Sequence, residues 1–320
     1  MAAAPRARVA AVRASARKGR KALLHPQGFV GAAFETAWTA AHIATYVFGA
    51  TSPKDKNSEL REVTRLDHLP PVTRGLLIGD VEAAGTPIVL VHGLLDNRSI
   101  FGPLKRQLRR RGFGRVVCHS YSVRTHDVET AALRLAQAVE RLCEETGYER
   151  VHVIGHSLGG LVARWYVQKM TGDARVHTLI TLGSPHSGSS LARIYPTFLG
   201  KQLLPGSAIC RALEEPSRPL DTRFVAVWSD LDTFVVPQRN ARIDHPDLDA
   251  RNVFLRGAGH LSLPMNSRVV REIVSTLAYL DSDGSTVAAG VTSLASARAT
   301  APVPAAVVAA RKKRSASSAS

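Results

Sequence analysis

The feature that most constrains the fold is a serine flanked by glycines, in the sequence Gly155-His156-Ser157-Leu158-Gly159. The apolar run at residues 151–154 precedes it and predicts a buried strand. Residues 161–170 follow with helical periodicity and contain neither Pro nor Gly, which predicts a helix. A strand, a glycine-flanked serine and a helix in this order indicate a very tight turn, the nucleophile elbow. Such a turn lifts the hydroxyl of Ser157 above the edge of a sheet.

Strands and helices alternate between Gly75 and Asp281. The predicted strands are residues 87–91, 115–118, 151–154, 176–182, 224–228 and 252–255. The predicted helices are residues 100–111, 128–145, 161–170 and 267–280. Continuous apolar strands bracketed by helices predict an α/β fold with a mostly parallel sheet covered by helices on both faces. Active sites in such sheets form at the carboxyl ends of the strands.

A serine hydroxyl needs a base to take its proton and a carboxylate to orient and stabilise that base. In a sheet of this kind, both groups are expected after later strands. The fifth predicted strand leads to Asp230 and Asp232, and the sixth leads to Gly257-Ala258-Gly259-His260. His260 is therefore the predicted base. Asp232 is the predicted acid, because it lies just before the apolar Phe234-Val235-Val236, and Asp230 stays open as the alternative.

A tetrahedral intermediate on the serine needs two hydrogen-bond donors for its oxyanion. The first predicted donor is the backbone N–H of Leu158, the residue after the serine. The second is expected from the loop after the first strand, which reads His92-Gly93-Leu94-Leu95. Gly93 lets the backbone turn so that the N–H of Leu94 can point into the site, and His92 is predicted to brace the loop.

Residues 184–222 interrupt the alternation with five prolines and a cluster of apolar side chains. A segment of this length and apolarity after a strand predicts a cap or lid over a pocket. Leu95, Ile100 and Phe101 are predicted to bind the substrate in that pocket, since apolar side chains suit an acyl chain. No cofactor and no metal ion are predicted.

The two ends of the chain differ from its middle, residues 51–281, which are predicted to form the catalytic domain. Residues 1–27 are rich in Ala, Arg and Lys. Residues 28–50 are apolar with a polar stripe at Glu35, Thr39 and His42, which favours an amphipathic helix. This helix could dock on the catalytic domain or lie on a membrane surface, and a membrane anchor or a secretory signal remains open. Residues 282–320 are predicted to be a disordered tail.

Most of the formal net charge of +16 lies on these two ends rather than on the predicted domain. This distribution argues against nucleic acid as a partner, because a nucleic-acid protein concentrates basic residues on a folded surface. The basic ends suit anionic lipid headgroups instead. Cys118, Cys143 and Cys210 show neither disulfide nor metal-ligand spacing, which favours a reducing compartment. A cytoplasmic or peripheral-membrane location is therefore preferred to secretion.

Five stretches of residues 85–280 together resemble bacterial lipases of the α/β-hydrolase superfamily, of the triacylglycerol lipase and esterase type. They are His92-Gly93-Leu94-Leu95, Gly155-His156-Ser157-Leu158-Gly159-Gly160, Thr181-Leu182-Gly183-Ser184-Pro185-His186-Ser187-Gly188, Asp232 before Val235-Val236, and Gly257-Ala258-Gly259-His260. The resemblance implies the α/β-hydrolase fold, a triad of Ser157, Asp232 and His260, and an oxyanion hole made by Leu94 and Leu158.

The same resemblance implies hydrolysis of carboxylic esters of lipid-like substrates through an acyl-enzyme on Ser157. Two alternatives stay open. An acyltransferase would use the same triad, with an alcohol in place of water. A hydrolase-like protein without catalysis, associated with a membrane, would carry the same fold with a silent site.

Overall fold

The computed structural model describes residues 85–94, 98–121, 127–170, 172–195 and 197–278 of the 320-residue chain. The predictions made for residues 1–50, for the tail 282–320 and for Leu95 lie outside these described residues.

The described residues contain six parallel strands, which form a single sheet. They are β1 (Ile88–Val91), β2 (Val116–His119), β3 (Val151–His156), β4 (Val176–Leu182), β5 (Arg223–Ser229) and β6 (Ala250–Leu255). Their spatial order is β2-β1-β3-β4-β5-β6, and each neighbouring pair is parallel. The predicted parallel sheet is confirmed.

Helices cover both faces of this sheet. In the described part of the chain they are α1 (Gly102–Arg110), α2 (Val128–Thr146), α3 (Leu158–Lys169), α4 (Phe198–Gln202), α5 (Ala208–Glu214) and α6 (Ser267–Leu277). Val89 and Val91 of β1 belong to one core cluster with side chains of α2 and α3. Ile88 and Leu90 belong to a second cluster with side chains of α1 and α6. Successive residues of a strand are thus buried on opposite faces of the sheet. Since both faces are covered, the strands are continuous apolar runs in the sequence.

The direction in which the chain crosses the sheet reverses next to β1. From β1 the chain crosses to β2 on one side, and from β2 it returns to β3 on the other side and continues towards β6. Val91, the last residue of β1, pairs in register with Gly155 near the end of β3. Because loops diverge at such a reversal, a crevice forms at the carboxyl ends of the two strands. The loop with Leu94 and the turn with Ser157 both begin there.

All ten predicted strands and helices are present, and their ends differ from the predictions by three residues or fewer. The largest difference that concerns function is at the serine. β3 continues to His156 and α3 begins at Leu158, so that Ser157 alone connects the strand to the helix.

The segment 184–222 contains the helices α4 and α5 and the 3-10 helix Ser190–Ile194. It packs on the side of the sheet that α2 and α3 cover, where its buried apolar side chains Ala192, Leu199, Leu203, Ile209 and Leu213 join the first core cluster. Its role as a cap stays a prediction. No helix in the described ranges has both the length and the apolarity needed to cross a bilayer.

The last residue of β2, His119, is 9% exposed. Burial lowers the pKa of His119 to about 3, and the neighbouring His92 adds to this effect. The unfolded chain binds a proton at this position near pH 6.5. The buried neutral His119 therefore leaves the free energy of unfolding at its full value above about pH 6.5. That free energy falls as the pH drops from about 6.5 towards 3, because only the unfolded chain gains the proton.

We predict that His119→Leu makes the protein less sensitive to mild acid. When the pH is lowered from about 7.5 to about 5, the unsubstituted protein should lose about 2 kcal/mol more unfolding free energy than the variant. The reason is that over this range His119 takes up a proton in the unfolded state but not in the folded state. Urea unfolding at the two pH values measures the difference. Equal losses in the two proteins would contradict the prediction.

Candidate active site

Ser157 has an unusual backbone conformation. Its φ is +54° and its ψ is −125°, and no other non-glycine residue in the described ranges has a positive φ. A residue with a side chain is strained in this backbone conformation, so packing of the surrounding structure must stabilise it. The backbone N–H of Ser157 donates to the carbonyl oxygen of Leu182 at 2.9 Å. The serine itself is half-buried, although the strand before it and the first turns of α3 after it are buried.

The glycines around the serine are required by close packing. A Cβ on Gly155 would lie 2.4 Å from Cα of Gly160, and a Cβ on Gly159 would lie 2.1 Å from the carbonyl oxygen of Val91. Backbone is therefore in direct contact with backbone on both sides of the turn. This contact is why the helix can begin immediately after the serine.

Asp232 and His260 form a buried pair. Nδ1 of His260 lies 2.8 Å from Oδ2 of Asp232, and the two side chains are 2% and 1% exposed. Oδ1 of Asp232 accepts hydrogen bonds from the backbone N–H groups of Phe234 and Val235, both at 2.9 Å. A carboxylate with these donors is an acceptor towards the ring, so the proton of the neutral imidazole resides on Nδ1. Nε2 of His260 is then the basic nitrogen.

Asp230 makes a different contact from Asp232. Its Oδ1 accepts a hydrogen bond from the backbone N–H of Gly257 at 2.7 Å, in the loop that carries His260. The hydroxyl of Ser229 also joins this loop, because it donates to the carbonyl oxygen of Ala258 at 2.7 Å. Of the two aspartates considered as the acid, Asp232 is the one that the structure brings to the imidazole. Asp230 ties the two loops together.

His156 connects the serine turn to the loop of His260. Its Nε2 lies 3.0 Å from the carbonyl oxygen of His260, and because a carbonyl only accepts, the imidazole donates. The two rings are 4.8 Å apart between centroids. Gly183, directly after β4, closes the site from another side, since a Cβ there would lie 2.7 Å from Oδ2 of Asp232. The loops after β3, β4, β5 and β6 therefore meet at one place.

The two predicted oxyanion donors differ in what surrounds them. Leu158 is the first residue of α3, and the N–H groups in the first turn of a helix have no acceptor within the helix. The helix dipole adds partial positive charge at the same end. Leu94 is half-buried and packs against the first core cluster. Its loop is held by His92, which is 3% exposed and whose Nδ1 lies 3.0 Å from the carbonyl oxygen of Gly93.

The predicted substrate-binding residues need a correction. Ile100 and Phe101 have no exposed surface and belong to the core cluster on the α1 and α6 side of the sheet. The 3-10 helix Arg98–Phe101 turns them inward, against the start of α1. We therefore assign them to the core rather than to the wall of an open pocket. The prediction for Leu95 lies outside the described residues.

Two aromatic side chains at the site were not recognised from the sequence. Phe234 stacks on the imidazole of His260 with centroids 4.7 Å apart, and it is 41% exposed. Tyr121 lies two residues beyond β2 and donates its hydroxyl proton to the carbonyl oxygen of His92 at 2.7 Å. Position just after a strand was the only signal that could have pointed to Tyr121.

Part of the chain is similar to known proteins. A family model for palmitoyl protein thioesterases matches residues 87–216. A triacylglycerol lipase of Vibrio cholerae is 36% identical over 111 residues, which are 33% of this chain and 34% of that lipase. A triacylglycerol lipase of Pseudomonas fragi is 30% identical over 133 residues, 40% of this chain and 43% of that lipase. The chain thus spans less than half the length of these curated relatives.

Two solved structures share the fold at low sequence identity. The mature form of a lipase from Bacillus licheniformis has a TM-score of 0.51 at 18% identity, over 61% of this chain and 92% of the other. Lipase B of Aspergillus fumigatus has a TM-score of 0.52 at 18% identity, over 60% of this chain and 52% of the other. The chain has the α/β-hydrolase fold. Its predicted resemblance to bacterial lipases is confirmed by the curated relatives.

We predict that Gly155→Ala destabilises the protein, because the new methyl group would meet the backbone of Gly160. Overpacking of this kind costs about 3 kcal/mol, which lowers the melting temperature by roughly 6–12 °C in a domain of this size. Gly102→Ala is the matched control, since nothing lies within 4 Å of a Cβ there. Thermal unfolding of both variants tests the expectation, and similar melting temperatures would contradict it.

Proposed function

We propose that this protein is a serine hydrolase that cleaves carboxylic esters of lipid-like substrates through an acyl-enzyme on Ser157. The observation that carries the proposal is the buried 2.8 Å contact between His260 and Asp232, with His156 linking the loop of that histidine to the serine turn. A buried carboxylate beside an imidazole, and a strained, partly exposed serine on a turn that is tied to the loop of that imidazole, support nucleophilic catalysis at this site. The curated triacylglycerol lipases among the relatives support the same chemistry.

In the proposed mechanism, Nε2 of His260 takes the proton of the Ser157 hydroxyl while the oxygen attacks the acyl carbon. Asp232 holds the ring in the required tautomer and stabilises the imidazolium that forms. The N–H groups of Leu158 and Leu94 donate to the oxyanion. Collapse of the intermediate breaks the bond to the leaving alcohol, which receives the proton from His260. Water, activated by the same base, then releases the acid from the serine.

Apolar groups near the site favour a lipid-like acyl group over a polar one. Phe234 extends the surface beside His260, and Leu94 is half-buried at the proposed oxyanion hole. The segment 184–222 is linked to the loop of Phe234, because the hydroxyl of Ser189 donates to the carbonyl oxygen of Phe234 at 2.7 Å. Ile194 and Phe198 of the same segment are 65% and 63% exposed. Apolar side chains around a few convergent polar groups are typical of sites for small apolar ligands.

Two further readings use the same residues. The match to palmitoyl protein thioesterases favours acyl thioesters as a second substrate class, because the same attack on the acyl carbon expels a thiol in place of an alcohol. An acyltransferase would deliver the acyl group to an alcohol. Product analysis with oxygen esters, thioesters and an added alcohol acceptor separates these readings. Membrane association through residues 1–50 stays a prediction.

We predict that a fluorophosphonate probe labels the native protein and leaves Ser157→Ala unlabelled, because the probe reacts only with an activated hydroxyl. Ser275→Ala, on α6, is the control, since Ser275 is also half-buried and its hydroxyl donates to the helix carbonyl of Glu272. That variant should be labelled like the native protein. Mass spectrometry of the labelled peptide identifies the site. Equal labelling of Ser157→Ala would show that the proposed nucleophile is wrong.

We predict that Asp232→Asn lowers kcat for ester hydrolysis by roughly 10³–10⁴-fold, since an amide facing Nδ1 favours the wrong tautomer of His260. Asp230→Asn keeps an oxygen that can accept from Gly257 and should stay within about tenfold of the native kcat. Steady-state kinetics on a p-nitrophenyl ester measure both. A larger loss in Asp230→Asn than in Asp232→Asn would reverse the assignment of the acid.

A further inference from the structure

We infer that Tyr121 and His92 are positioning residues that hold the loop after β1 in the geometry needed for its N–H donor on Leu94. This inference rests on the proposed function, in which that N–H stabilises the oxyanion. It concerns neither the nucleophile nor the base. The structure supports it by two hydrogen bonds to consecutive carbonyl oxygens, by one pair of stacked rings, and by the close approach of Gly159 to the same loop.

His92 orients the peptide group that carries the donor. Its Nδ1 lies 3.0 Å from the carbonyl oxygen of Gly93. Since a carbonyl oxygen only accepts, Nδ1 carries the proton and donates it. The carbonyl of Gly93 and the N–H of Leu94 belong to the same planar trans peptide group and point in opposite directions. A hydrogen bond that fixes the carbonyl therefore fixes the direction of the N–H.

Tyr121 holds the preceding peptide group and the ring of His92. Its hydroxyl donates to the carbonyl oxygen of His92 at 2.7 Å. Its ring also stacks on the imidazole of His92, with centroids 4.6 Å apart and planes inclined by 13°. The side chains of Tyr121 and His92 are 8% and 3% exposed. One tyrosine therefore restrains both the backbone and the side chain of the residue that orients the donor.

The first turn of α3 closes the other side of the same loop. A Cβ on Gly159 would lie 2.5 Å from the carbonyl oxygen of His92 and 2.1 Å from that of Val91. The carbonyl of His92 is thus held between Gly159 and the hydroxyl of Tyr121. Leu158, the other proposed donor, is the residue before Gly159. The contacts consequently fix the two donors relative to one another.

This placement matters because oxyanion donors act only when they are aimed before the reaction begins. Removal of one donor typically costs 10²–10³-fold in kcat. A positioning defect leaves the donor present and misdirected for part of the time, so its cost should be smaller. Because the oxyanion exists in the transition state and not in the bound ester, the loss should fall on kcat rather than on KM.

Tyr121→Phe tests the inference, because it removes the hydroxyl and keeps the stacked ring. We expect kcat for a p-nitrophenyl ester to fall roughly 10- to 100-fold with KM changed less than about threefold. Affinity for a boronic acid, whose tetrahedral adduct on the serine presents an oxyanion, should fall by a similar factor. Tyr166→Phe is the matched control, since Tyr166 is a 2% exposed tyrosine in the same core cluster, on α3. Its kcat should equal the native value.

Substitutions of His92 give a second, independent test. The amide nitrogen of Asn can occupy the place of Nδ1 and donate to the carbonyl of Gly93, whereas Gln carries its amide one bond farther from the backbone. His92→Asn should therefore retain at least tenfold more of the native kcat than His92→Gln, at a similar melting temperature. Equal activity of these two variants would overturn the role of the Nδ1 donor.

The outcomes separate this inference from the proposed function. Native kcat in Tyr121→Phe, with the protein still labelled at Ser157, would overturn the positioning role and leave the hydrolase proposal intact. A fall in kcat matched by a rise in KM and a lower melting temperature than Tyr166→Phe would also overturn it, because that pattern indicates general damage to the fold. Failure of the native protein to react with the probe or the ester would overturn the proposed function itself.

Discussion

The site depends on direct contact between backbone segments around the serine turn. Gly155 at the end of β3 touches Gly160 in the first turn of α3, and Gly159 touches the carbonyl oxygens at the end of β1. These contacts leave no room for a longer connection, so Ser157 adopts a positive φ that a side chain normally avoids. The cost of that conformation is offset by packing of a buried helix against three strands. The position of the partly exposed serine is thus a consequence of how tightly the surrounding residues fit.

Side chains that bind backbone join the loops around this turn. Ser229, the last residue of β5, and Asp230, which follows it, hold the loop after β6, while His156 of β3 holds the carbonyl of His260. Tyr121 after β2 binds the loop after β1 in the same way. Each bond is buried or partly buried, where an unpaired polar group would be costly, so each restrains its loop strongly. The site is therefore held by cross-connections between loops rather than by any single element.

The parts that were predicted from the sequence are those that depend on order along the chain. In a parallel sheet, a residue just after a strand lies at the carboxyl edge, which is why Asp232 and His260 could be proposed without coordinates. The start of α3 was predicted three residues late, because glycines have low helix propensity and only tertiary packing makes residues 158–160 helical. Ile100 and Phe101 were placed in a pocket because apolarity alone does not tell which layer a residue joins. Tyr121 contacts a residue 29 positions away, and no local pattern encodes such a contact.

Asp230 and Asp232 differ in role because their carboxylates contact different groups. Both lie after β5, two residues apart, and both accept hydrogen bonds from backbone N–H groups. The N–H groups that bind Asp232 lie in its own loop and use Oδ1, which leaves Oδ2 directed at the imidazole. Asp230 is bound by Gly257 across the gap between two loops. The site requires that the imidazole be oriented and, separately, that the loop carrying it be oriented. One short stretch of chain can meet both requirements, because alternate residues after the strand face different neighbours.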